Sequence, residues 1–106
     1  MIKLVHFVKK RKDLTPEQFK DYWLNKHSQV EKLVLEKTKI KKILASFTIG
    51  KEPPFDGMVE LYFDSMEDLR APGDPEVLAK LRKDEENFID LSEKRVFVAT
   101  EEYLIG

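Results

Sequence analysis

Apolar side chains fill Ile2, Leu4, Val5, Phe7 and Val8, with only Lys3 and His6 set among them. A run of β-formers with no clean polar face predicts an inner strand that is covered on both sides. The period then changes. After Lys9-Lys10-Arg11-Lys12-Asp13, the residues Phe19, Trp23, His27, Val30 and Val34 recur by threes and fours with Leu33 beside them, while Glu17, Lys20, Asp21, Glu31 and Lys32 lie away from that stripe. This is an amphipathic helix with one histidine on its core face. Its start is well specified: Thr15 can cap it, Pro16 suits the first turn, and Gln18 can complete a capping box. Continuing to about Lys37, it would be about 30 Å long at 1.5 Å per residue. The basic run before it reads as a solvated connection or an anion-binding patch.

From Ile40 to Gly50 the pattern alternates, with Ile43, Ala45, Phe47 and Ile49 on one side and Leu44, Ser46 and Thr48 on the other. The lysines at 39, 41 and 42 suit the start of an edge strand, where charge discourages edge-to-edge pairing. A Pro- and Gly-bearing loop at 51–57 leads to a third strand, Met58–Asp64, with Val59, Leu61 and Phe63 on one face and Glu60 and Tyr62 on the other. Ser65 opens a second helix that Pro72-Gly73 interrupts and Asp74-Pro75 restarts, with Val77, Leu78, Leu81 and Phe88 on its inner side. A last strand spans Glu93–Leu104, with Val96 and Val98 opposite Phe97, Ala99 and Tyr103.

The order β-α-β-β-α-β is the split βαβ pattern. It predicts one α+β domain over residues 1–106, with a four-stranded antiparallel sheet in the order 4-1-3-2 and both helices on one face. Several residues assigned to the open face are apolar, so a ligand or a second copy is expected to cover it, and a homodimer is the simpler solution.

Composition narrows the partners. The 19 basic and 20 acidic side chains nearly cancel, so no overall field draws the chain to nucleic acid or anionic lipid. With no cysteine there is no disulfide framework, thiolate metal site or cysteine nucleophile, and cytoplasm is the expected compartment. Neither a secretion signal nor a membrane-spanning run is expected. No metal site is expected either, because no His-x-x-x-His or Glu-x-x-His spacing occurs on a helix, and no glycine-rich phosphate loop is present. The same element order occurs in RNA-recognition domains, but Gly57–Phe63 does not fit their third-strand motif and Glu60 would put negative charge on the platform.

The segments Lys10-Arg11-Lys12, Leu14–Phe19 and Asp21-Tyr22-Trp23-Leu24-Asn25-Lys26-His27 resemble the opening of EthD-like proteins. Val59–Leu69 and Asp84–Ser92 are similar to that family's third strand and the segment after its second helix. The resemblance implies a dimeric α+β barrel of ferredoxin-like protomers, each with a cavity between sheet and helices, and it places His27 at the family's helix histidine. It does not imply one reaction: relatives of this architecture include lactone isomerases, polyketide cyclases and dehydratases, cofactor-free monooxygenases and haem-degrading enzymes. The namesake is tied to ether degradation.

His27 and His6 are the only imidazoles and the natural candidates for proton transfer near neutral pH. Each has a structural alternative as a buried neutral histidine bonded to a neighbour. Glu60 and Tyr62 share a face of the strand expected beside the one carrying His6, so a His-Glu-Tyr cluster is geometrically open, with an ion pair as the plainer role for Glu60. Tyr22 and Trp23 suit an aromatic wall for a ligand, or simply the core; Ser46 is a further ligand contact. The leading expectation is a cofactor-free enzyme doing isomerase, cyclase or dehydratase chemistry on a small carbonyl or aromatic compound. Its alternatives are an oxidoreductase or accessory protein in ether or aromatic degradation, and a non-catalytic small-molecule binding protein.

Overall fold

The structure, a computed structural model, describes residues 1–106. Its elements are β1 (Ile2–Val8), α1 (Pro16–Tyr22), a π-helical segment (Trp23–His27), α2 (Ser28–Lys37), β2 (Lys42–Phe47), β3 (Gly57–Phe63), α3 (Met66–Arg70), α4 (Pro75–Glu85) and β4 (Val96–Glu101). Every strand pairing is antiparallel and the sheet runs β2-β3-β1-β4, the expected order read from the other edge.

Capping behaves as the side chains dictate. Thr15 accepts from the Gln18 N–H while the Gln18 side chain accepts from the Thr15 N–H, closing the capping box. Ser65 caps α3, and Asp74 accepts from the N–H groups of Glu76 and Val77 at the head of α4. The second helix is therefore two helices, split where Pro72-Gly73 stand. β2 is shorter than the alternation suggested, because Thr48 turns away from the ladder to bond the Phe55 and Asp56 carbonyls. β4 stops at Glu101, so Tyr103 lies beyond the sheet and is exposed.

The core sits where the first helix crosses the sheet: Val8, Phe19, Trp23, Val59, Phe88 and Ile89 form one buried cluster. Phe88 is fully buried just beyond α4, and its carbonyl accepts from the Arg11 N–H at 2.9 Å. Lys10 pairs with Ile89 as an isolated bridge beside it. These bonds tie the end of α4 to the β1–α1 connection. They thereby fix the residues just before Phe88, which carry the site.

Candidate functional site

Between the sheet and the helices lies a cavity of about 200 Å³, walled mainly by aliphatic side chains such as Leu4, Ile43, Leu61, Val34 and Leu81, with Trp23 and Phe88. In that apolar wall the polar side chains are few: His6, His27, Glu31, Arg82, Glu85 and Arg95. Any polar atom of an occupant has to meet one of these, since an unpaired buried polar group is costly.

The first helix is not regular, and its irregularity builds the site. The Ser28 N–H donates to the Trp23 carbonyl five residues back, the mark of a π turn. A π turn holds about one extra residue, which rotates everything after it by roughly 100° relative to a regular helix. Phe19, Trp23 and His27 stay buried, but the position that regular periodicity gives to Val30 passes to Glu31. Glu31, expected away from the stripe, thus faces the cavity and accepts from the Trp23 indole N–H at 3.0 Å. Burial pushes its carboxyl above the usual carboxylate range, against the opposing pull of His27 and the indole.

His27 is 3% exposed, and its Nδ1 lies 2.7 Å from Asp84 Oδ2. The Tyr22 hydroxyl donates to the other oxygen, Oδ1, at 2.7 Å, and the Asn87 amide donates both to Oδ1 and to the Tyr22 oxygen. Burial works against ionisation of Asp84, but the bonds from Tyr22, His27 and Asn87 outweigh it and hold the carboxyl below its ordinary range. With Asp84 ionised, Nδ1 is assigned as the protonated nitrogen and Nε2 as the one with a free lone pair. Nε2 makes no bond to the protein, and among fully sealed side-chain polar atoms only Thr100 Oγ1 lacks a partner. His27 lines the cavity, so Nε2 is its open atom.

A second pair sits next door. Glu85, adjacent to Asp84 in α4, is buried and accepts from Arg95 Nη2 at 2.9 Å. His6 lies on the same wall, stacked on Phe97 with ring centroids 4.0 Å apart and 16° between planes. Burial first, and then the charge of Arg95, push the His6 imidazole down to about 4. It is neutral at pH 7.

The structure separates residues that the sequence grouped. His6 pairs with Val59 across β1 and β3, so Glu60 and Tyr62 point to the opposite face of the sheet and the anticipated His-Glu-Tyr cluster does not form. Glu60 instead bonds the Lys3 ammonium, and the Tyr62 hydroxyl donates to Glu102 at 3.0 Å. Ser46 lies on that same outer face, opposite Met58. Trp23 reaches the cavity, whereas Tyr22 lies behind His27 and acts on it through Asp84. The sequence reading missed Glu31, Asp84 and Arg95 as site residues. Asp84 opened a segment with family likeness, which was the available signal; Glu31 had none, since it depends on the π turn. No three His, Asp or Glu side chains converge in the way a metal site requires.

An antiparallel β2-β3-β1-β4 sheet with its helices on one face and a cavity beneath them defines a ferredoxin-like α+β protein. The EthD domain matches residues 11–92, and the chain belongs to the EthD family. Solved structures agree on the fold. An ethyl tert-butyl ether D (EthD) family protein from Bacillus halodurans C-125 superimposes with a TM-score of 0.68 at 19% identity, over 97% of this chain and 99% of its own. A dimeric protein of unknown function and ferredoxin-like fold from Bacteroides fragilis NCTC 9343 gives 0.66 at 22% identity, over 94% of each chain. A dimeric ferredoxin-like protein of unknown function from Thermobifida fusca YX gives 0.65 at 15% identity, over 93% of this chain and 88% of its own. No curated protein matches the chain in sequence.

Proposed function

We propose that this protein is a small-molecule enzyme that moves a proton on a carbonyl compound bound in the cavity, in the manner of an isomerase, cyclase or dehydratase. The observation that carries the reading is the 2.7 Å bond between His27 and Asp84, which leaves Nε2 as a free base at an apolar cavity. Asp84 fixes the tautomer and steadies the imidazolium once it forms, and Tyr22 and Asn87 hold Asp84 in place. Nε2 takes a proton from the carbon next to the carbonyl. Glu31, favoured in its neutral form by burial, donates to the carbonyl oxygen, so the product of the step is an enol and no net charge is left in the cavity. Return of the proton from His27 to a different carbon of the conjugated enol, while the enol hydroxyl proton returns to Glu31, completes an isomerisation and restores both groups.

Solvent deuterium exchange at carbon, followed by NMR over a panel of small ketones and lactones, tests this without knowledge of the natural substrate. The wild-type protein is expected to accelerate exchange over buffer, with His27→Asn and Asp84→Asn each reducing the acceleration by about a hundredfold or more. Exchange that persists at the wild-type rate in both variants rejects the assignment. Ligand retention with no exchange in the wild-type protein moves the reading to a binding protein, which the largely aliphatic wall also suits.

The same proposal includes a homodimer. The sheet face away from the helices leaves Leu44 and Val98 exposed by 40% and 43%. The B. fragilis and T. fusca proteins of this fold are dimeric. Pairing two such faces removes that apolar surface from water.

A further inference from the structure

The groups beside His27 and Glu31 sort by what they have left to bond. The Arg95 guanidinium spends one of its N–H donors on Glu85 and makes no other bond, while its side chain remains 30% exposed. Arg82 lines the same cavity, is solvent-exposed and pairs with no carboxylate. It stands three residues before Glu85, so both lie on one face of α4. Arg95 thus has Glu85 as its one carboxylate partner and Arg82 has none, so guanidinium donors remain unused at this wall. Phe97 follows Arg95, which stands just before β4, by two residues, and both side chains line the cavity. Phe97 is 47% exposed and has its ring stacked against His6. A flat apolar platform thus stands next to a cationic fork with unused donors.

We propose that this end of the cavity recognises an aromatic carboxylate, whose ring lies against Phe97 and whose carboxylate is taken by Arg95 with Arg82 beside it. The inference rests on the reading of the cavity as the substrate site and names the class of molecule that site accepts. The fork geometry suits a carboxylate better than a single point charge would. Size agrees: an apolar cavity of about 150 Å³ is enough for benzene, so about 200 Å³ admits one ring with a short substituent. Neutral His6, held so by burial and by Arg95, does not compete with the ligand for charge and serves as backing for the aromatic stack.

Trp23 is the only tryptophan and lines the cavity, so its emission reports occupancy. The test titrates the protein with 4-ethylbenzoate and with its neutral counterpart 4-ethylbenzamide. The benzoate is expected to bind about tenfold tighter or more, the worth of a hydrogen bond to a charged group. Glu85→Gln releases the fork and should tighten the benzoate several-fold. The triple variant Arg82→Gln, Arg95→Gln and Glu85→Gln leaves no buried carboxylate unpaired and no guanidinium at the cavity, and should bring the benzoate down to the affinity of the amide. Phe97→Ala should weaken both ligands. Equal affinities for acid and amide in the wild-type protein, a triple variant that still prefers the acid, or no response to either ligand each overturn the proposal. Deuterium exchange of neutral ketones by the wild-type protein needs no anionic group. Exchange without carboxylate preference therefore removes only the ligand class, and carboxylate preference without exchange removes only the proton-transfer reading.

Discussion

His6 and His27 are both nearly sealed, yet their surroundings set them opposite tasks. His27 bonds the Asp84 carboxylate through Nδ1 and leaves Nε2 without a protein partner. His6 has Phe97 on one side and the charge of Arg95 nearby, so protonation there is opposed. This difference has a measurable consequence for stability. An ordinary histidine gains its proton below about 6.5, whereas folded His6 does so only near 4. Between those values the unfolded chain binds more protons, so the fold loses stability as pH falls through the window, and the loss is complete below it. From pH 7 to pH 5 the expected cost is about 2 kcal/mol. Glu31 has a raised value and works with the opposite sign, holding its proton better in the folded state. Urea unfolding of wild type and His6→Leu at both pH values isolates the histidine. The variant should lose less stability than wild type across the window, and identical losses would show that His6 is not the group responsible.

At the level of elements, the contact between the first helix and β3 decides how the site is held. Gly57 begins β3 directly beneath the helix, and a Cβ there would sit 2.9 Å from Cζ3 of Trp23 and 3.2 Å from Cε2 of Phe19. Both rings belong to the buried cluster, so neither can step aside freely. Gly57→Ala is expected to destabilise by about 1–3 kcal/mol in urea unfolding, with a shift in Trp23 emission as the ring is displaced. Wild-type stability in that variant would mean that the helix can lift without cost. The caps at Thr15, Ser65 and Asp74 were legible because a cap depends on four consecutive residues. The π turn was not, because its justification is tertiary: it keeps Trp23 and His27 on the core face and turns Glu31 inward. Alternation in β3 correctly put Glu60 with Tyr62. Which face they shared with β1 was a matter of register, and alternation within one strand carries no information about its neighbour.

For the whole molecule the deciding feature is the uncovered sheet face. It combines a charged network, in which Lys3 bonds Glu60 and Glu102 while Lys42 lies 4.2 Å over the Tyr62 ring, with exposed Leu44 and Val98. Glu102 and Glu60 lift the Lys3 ammonium well above its ordinary range, so Lys3 stays charged at any physiological pH. A two-fold interface meets each residue twice. Val98→Glu should therefore raise the dimer dissociation constant by about a hundredfold or more, as expected for burying charges without partners. Analytical ultracentrifugation reads the outcome, with circular dichroism to check that the fold survives. A wild-type protein that sediments as a monomer at tens of micromolar would rule the dimer out. No helix is long and apolar enough to cross a membrane.

The sequence by itself determined the element order, the strand order, the caps, the break at Pro72-Gly73 and the presence of His27 on the core side of its helix. Those features follow from local chemistry and from period, which neighbouring residues carry among themselves. Tertiary structure decided what each polar group meets. It set Asp84 against His27 across 57 positions of chain, turned Glu31 inward through a π turn, and moved Glu60 and Tyr62 to the far side of the sheet. The physical reason is that a hydrogen bond or an ion pair is made by two groups brought together through packing. No periodicity within one segment specifies the partner that another segment will bring.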